Sequence, residues 1–76
     1  MIKKNDVRLT RPGKKKKAHH VQNDDIIFHD GYWYHVDTVE IDWPNKKVLF
    51  TFKEYLHCSS AEYSVYRRIM CKEKDD

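Results

Sequence analysis

Glycine, proline and cysteine are scarce: the 76 residues contain two of each. With Gly13 and Gly31 as the only glycines, no Gly-rich loop is present to cradle a nucleotide's phosphates. No serine stands in the Gly-x-Ser-x-Gly setting that exposes a nucleophile at a sharp turn. These gaps remove the usual apparatus of catalysis, so the expectation is a protein that is not an enzyme and carries no cofactor. Cys58 and Cys71 do not form the short Cys-x-x-Cys spacing that zinc favours, and no metal is expected. They are read as free thiols. No run of about 18 apolar residues is present to cross a membrane as a helix, and Met1 to His20 lacks the apolar stretch of a signal peptide. The expected location is therefore the cytoplasm.

What the chain has in excess is charge, unevenly placed. Residues 1–20 hold eight Lys or Arg against the single acid Asp6, a net +7. The whole chain carries +3, which leaves −4 for residues 21–76. Like charges in a block repel one another and lose hydration if packed, so they stay in water, where their potential attracts polyanions. Arg8, Arg11 and the run Lys14, Lys15, Lys16, Lys17 are the expected phosphate contacts. Pro12 and Gly13 discourage a continuous helix there, and residues 1–20 are read as a flexible basic arm or loop. Val7 and Leu9 alternate with polar neighbours, which allows a short edge strand over 6–10 with the lysines looping outward.

With the arm set aside, roughly 55 residues remain, near the lower limit at which a hydrophobic core folds without help. The core must then be aromatic. Phe28, Tyr32, Trp33, Tyr34, Trp43, Phe50, Phe52, Tyr55, Tyr63 and Tyr66 make up 13% of the chain, and such rings bury about 150–250 Å² each. The domain is expected over 21–71, with a charged end at 72–76. Ile26, Ile27 and Phe28 begin a strand, and Asp30-Gly31 supplies the two left-handed positions of a tight hairpin. In the next strand Tyr34 and Val36 fall on one parity but Val39, Ile41 and Trp43 on the other, so a bulge is expected near Asp37-Thr38. Pro44-Asn45 turns the chain, and Val48, Phe50 and Phe52 alternate with Lys47, Leu49 and Thr51.

The C-terminal stretch carries two patterns. Ser59 and Glu62 have capping-box spacing, which would place Tyr63, Tyr66 and Met70 on one helical face. The β-branched and aromatic residues Tyr63, Val65, Tyr66 and Ile69 suit a strand instead, although one parity then turns Arg67 inward. The strand is preferred because it lets a strongly bent sheet close on itself and so remove its edges. The fold expected is mainly β: a small strongly bent antiparallel sheet or SH3-like barrel.

Val21 to Phe28, the Asp30-Gly31 hairpin, Tyr34 to Glu40, and Lys47 to Phe50 after a turn together resemble the opening of small SH3-like barrels of the KOW and Tudor-like kind. Those domains commonly have Gly-Asp before the first strand, where this chain has Asn23-Asp24. The resemblance implies a fold that binds RNA, DNA or short peptides through loops and exposed aromatics and seldom catalyses. Short basic chains rich in Lys, Tyr and Asp also resemble early proteins of bacterial viruses, which would make the cytoplasm that of the host.

The histidines and carboxylates have plain readings. His29 and His35 are expected on the solvent face of their hairpin, and Asp24, Asp25, Asp30, Asp37, Glu40 and Asp42 as a solvated acidic face rather than a nuclease's metal cluster. The functional expectation is a binder of nucleic acid, DNA or RNA, largely independent of sequence, because phosphate contacts position a protein without reading bases. Its arm would neutralise about four to six phosphates. Trp33, Tyr32 or Tyr55 would stack on bases, and Arg67 and Arg68 would extend the basic surface. The rival expectation is a module that docks on a host enzyme or polymerase through exposed aromatics, with charge for steering. A third is a structural subunit of a ribonucleoprotein.

Overall fold

Hydrophobic alternation with a period of two builds most of the molecule. The computed structural model describes residues 10–54 and 57–73. Among them are β1 (Lys14–Lys17), β2 (Ile26–His29), β3 (Tyr32–Asp42), β4 (Lys47–Phe52), β5 (Ser60–Ser64) and β6 (Arg68–Lys72), with one 3-10 turn at Ala18–His20. The strands pair antiparallel in one sheet, ordered β1-β6-β2-β3-β4-β5. The mainly β, bent antiparallel expectation holds. No helix among the described residues is long and apolar enough to cross a membrane.

Local chemistry sets the hairpins. Asp30 (φ 51°) and Gly31 (φ 87°) both occupy the left-handed region, as a type I′ turn requires, and join β2 to β3. In the β3–β4 turn Asp42 accepts hydrogen bonds from the backbone N–H (3.3 Å) and side-chain amide (2.7 Å) of Asn45, and Lys46 takes φ 56°. The register of β3 against β4 shifts between Val36 and Thr38, which is the expected bulge. It returns Val39 to the inner face after Tyr34 and Val36. The two halves of β3 thereby serve different partners, β2 before the bulge and β4 after it.

The sheet is curled hard, and chain length demands it. In the sheet order β5 and β6 stand four strand spacings apart, about 19 Å if the sheet were flat. Only Val65, Tyr66 and Arg67 connect them, a reach of at most about 14 Å. Hydrogen bonds pin this corner from two sides: Val65 N donates to Lys46 O (3.0 Å), while Ala18 N donates to Arg67 O (2.8 Å) and His19 N to Val65 O (3.2 Å). Inside the curl lie Ala18, Val21, Ile27, Tyr34, Val36, Val48, Phe50, Phe52, Ala61, Val65, Ile69 and Cys71. Tyr34 and Phe52 stack with ring centroids 4.3 Å apart.

Several expectations are corrected. Lys14–Lys17 do not loop out as an arm; they form the edge strand β1, paired with Arg68–Cys71, and Ala18 is fully buried just after them. The folded body thus starts before Val21. A strand survives the lysine run because its side chains alternate across the sheet, so adjacent charges point to opposite faces. Of the expected strand over 6–10, residues 6–9 lie outside the described residues and Thr10 belongs to no strand. The C-terminal stretch is not one strand but two, with Val65–Arg67 as the turn, so Arg67 is exposed rather than turned inward. Phe28, Tyr32, Trp43 and Tyr66 are exposed rather than core, because Phe28 has the outward parity, Tyr32 ends its strand at the hairpin and the other two sit in turns. Tyr55 lies outside the described residues. His29 is half-buried, not on a solvent face: its ring packs against Tyr34, Phe52 and Tyr63, and its Nδ1 shares a 2.5 Å hydrogen bond with the Tyr63 hydroxyl. Asp25 is buried, not solvated.

Candidate nucleic-acid interface

Strand register decides which basic side chains act together. β1 pairs Lys15 with Met70 and Lys17 with Arg68. Directly opposed residues share a face, so Lys15, Lys17 and Arg68 stand together on the outer face, all exposed. The same face continues through Met70 and Lys72 to Ile26 and Phe28 of β2 and Trp33 of β3. Lys72 lies over the Trp33 ring with Nζ 4.4 Å from its centroid, and Phe28 meets Trp33 edge-on at 5.1 Å. Gly13 closes this packing. A Cβ there would lie 3.1 Å from the Trp33 ring, 3.2 Å from Met70 and 3.3 Å from the Cys71 carbonyl oxygen, so a side chain would need its neighbours to give by a few tenths of an ångström.

Lys16 has the other parity and another role. Its Nζ pairs with Asp25 Oδ2 (3.4 Å) and Glu73 Oε1 (3.5 Å). The same Asp25 oxygen accepts from Gln22 N (3.0 Å) and from the Cys71 thiol (3.6 Å). Burial pulls the Lys16 pKa down, but Asp25, Cys71 and Glu73 outweigh it and raise the value above the usual 10.5. Burial, followed by the Asp25 carboxylate, pushes the Cys71 thiol up to about 12. Lys16 is thus a structural cation beneath β1, although the run Lys14 to Lys17 reads as four equal phosphate contacts.

A second cluster forms where β1 ends. The His19 ring meets Trp43 edge-on at 5.3 Å and Tyr66 edge-on at 5.7 Å, and lies 4.0 Å from His20. Its Nδ1 sits 2.7 Å from Val65 O. A carbonyl only accepts, so the His19 Nδ1–H donates to it. Lys17 Nζ lies 5.7 Å from the Tyr66 ring centre and Lys46 Nζ 5.6 Å from that of Trp43. Desolvation first, then the charges of His19, Lys17 and Lys16, hold the His20 imidazole below its usual pKa.

The sequence candidates are therefore scattered into distinct roles. Lys14, Lys15, Lys17, Arg67 and Arg68 are exposed on one flank, Lys16 is ion-paired, and Trp33 is half-buried under Lys72. Arg11 is exposed, and Arg8 lies outside the described residues. Sequence reading assigns Trp43 and Tyr66 to the core and gives His19 and Lys46 no binding role. One signal was available: Trp43 precedes Pro44-Asn45, and a turn leaves its flanks exposed. The opposite flank is acidic. Glu40, Asp42 and Glu62, with Ile41, Asn45, Lys47 and Leu49, line an open depression of about 580 Å³.

Among the described residues no three His, Cys, Asp or Glu side chains are gathered to hold a metal ion. In comparisons with known proteins, no family model, curated protein or solved structure matches the chain.

Proposed function

We propose that this protein is a non-enzymatic nucleic-acid binder that grips the phosphate backbone with the outer face of β1 and the start of β6. The observation that carries this reading is the register pairing Lys17 with Arg68 and Lys15 with Met70. It converts a run of lysines into a fixed positive surface, with Lys14 and Arg67 beside it. Such a surface attracts phosphates whatever the base sequence, and binding releases counterions. The acidic flank supports the reading from the other side, since it repels the same ligand and orients the approach. The tight curl of the sheet and the three-residue link between β5 and β6 support an SH3-like reading, with β1 and β5 left as open edges among the described residues. The free thiols Cys58 and Cys71 agree with a reducing compartment such as the cytoplasm.

Fluorescence anisotropy with labelled single-stranded RNA, single-stranded DNA and duplex DNA tests this, each titrated at about 50 and 200 mM salt. The expected result is binding that weakens by orders of magnitude between the two conditions. No binding at the lower salt would overturn the proposal and direct the search to a protein partner.

A further inference from the structure

The corner built by His19, Trp43 and Tyr66 is separate from the lysine face in sequence and adjoins it in space through Lys17. Three segments far apart in the chain meet there: Lys17–His20, the Trp43–Lys46 turn and the Val65–Arg67 turn. Their backbones are tied by the hydrogen bonds His19 N to Val65 O and Val65 N to Lys46 O, so the rings stand on a fixed support. Trp43 remains 44% exposed and Tyr66 54% exposed, although a domain this small needs aromatic surface for its core. Each exposed ring has an ammonium above it, Lys46 for Trp43 and Lys17 for Tyr66. The Asp42 carboxylate next to Trp43 is committed to Asn45 within the turn.

A π face beside a cation matches the two halves of one nucleotide, a base to stack and a phosphate to pair. Resting on the reading above, we infer that this corner is a stacking site for unpaired bases, so that the protein prefers single-stranded nucleic acid over duplex. A duplex offers phosphates but keeps its base faces stacked inside, and only a single strand can use both parts of the corner. Trp33 does not compete for this role, since Lys72 lies over its ring, Phe28 meets it edge-on and Gly13 packs against it.

The test compares an oligothymidylate of about twelve nucleotides with an abasic strand of equal phosphate number and with a duplex of the same length. Binding is measured with the full-length chain carrying 5-fluorotryptophan, whose two fluorine resonances are assigned with Trp43→Phe. The base-bearing strand is expected to bind about 5- to 100-fold tighter than the abasic one and to move the Trp43 resonance. Trp43→Ala and, separately, Tyr66→Ala should each remove most of that advantage while leaving the salt dependence as it was. Trp43→Phe should retain much of it. Equal affinity for the base-bearing and abasic strands would overturn this inference and leave the phosphate-binding proposal standing, as would an advantage that survives both alanine substitutions in variants whose thermal melts show them folded. No binding of any strand at about 50 mM salt would overturn both. A proline-rich peptide that moves the Trp43 resonance when no strand does would also overturn both and identify a protein ligand.

Discussion

The two flanks of the sheet share one hydrophobic interior but are assembled differently. On the β3–β4–β5 flank every strand pairs with the next in sequence, and the outer face carries Glu40, Asp42, Glu62, Leu49, Thr38 and Thr51. On the β1–β6–β2 flank Lys14 pairs with Cys71, at the far end of the chain, and the outer face carries Lys15, Lys17 and Arg68. Local pairing built the acidic flank, and long-range pairing built the basic one. Charge segregation in this molecule is thus a property of topology as much as of composition. β1 also shows why lysines suit an exposed edge, since their charge keeps that edge from pairing with another chain. A polyanion surface and a protected edge are supplied by the same side chains.

If the basic flank acts as a unit, Lys15→Gln, Lys17→Gln and Arg68→Gln combined should produce the largest effect. Each phosphate contact contributes close to a factor of ten at about 50 mM salt, so the triple variant should lose about 10²- to 10³-fold in affinity, and its salt slope should fall by roughly two. Lys16 is left out because it holds Asp25. A triple variant that binds like the parent would erase the functional difference between the flanks.

The same contrast explains how much the sequence could tell. The Asp30-Gly31 hairpin, the bulge near Asp37-Thr38 and the alternation of Val48, Phe50 and Phe52 were legible because each depends on residues close in the chain. β1 was not legible, because four lysines give no apolar period and their pairing partner lies more than fifty residues away. Neither was the unequal role of Lys16, which depends on Asp25 and Cys71 meeting beneath it. Residues of the candidate site followed suit: the exposed lysines were visible as composition, whereas the corner of His19, Trp43 and Tyr66 needed three segments to converge. The turn at Val65–Arg67 was hidden for a related reason, since Val65 and Tyr66 read as strand and nothing local marks the sharp bend between β5 and β6.

Asp25 is the anchor of the basic flank, and its removal sharpens the comparison through stability. Asp25→Ala strips the acceptor from the Gln22 N–H and the Cys71 thiol and leaves Lys16 with Glu73 alone of its two carboxylate partners. Hydrogen bonds to a charged group are worth about 1.5–3 kcal/mol, so chemical denaturation should show a loss of about 2–3 kcal/mol. A comparable truncation at the acidic flank, Glu62→Ala on the exposed face of β5, should change stability by less than about 0.5 kcal/mol. Equal losses at the two sites would mean that Asp25 is not the anchor of β1.

Alkaline pH probes the same group of residues. The Cys71 pKa rises from 9.0 to about 12 on folding, and that of Lys16 rises above 10.5. Between pH 9 and 12 the folded chain therefore holds a thiol proton that the unfolded chain gives up, and stability falls as pH rises through that window. The slope for one such proton is about 1.4 kcal/mol per pH unit. The groups around the thiol are Asp25, Lys16 and Glu73, and the Tyr34 and Tyr63 phenols, both raised chiefly by burial, add losses of the same sign above pH 10. Denaturation midpoints from pH 8 to about 10 should be flatter for Cys71→Ala than for the parent. An identical slope in both would remove Cys71 from the account.

The smallest effect is expected on the acidic flank. Glu40→Gln with Glu62→Gln neutralises two of the carboxylates around the open depression without touching the lysine face or the aromatic corner. If these charges act only through the field they set up, affinity for a single strand should tighten by about two- to fivefold at 50 mM salt and by almost nothing at 200 mM, because screening shortens their reach to roughly 10 Å or less. Anisotropy at the two salts measures both numbers. A gain of more than about tenfold would mean that the strand passes close to these carboxylates and that their repulsion limits binding. A loss would mean that the depression itself contacts the ligand, and the division into a binding flank and a repelling one would then fail.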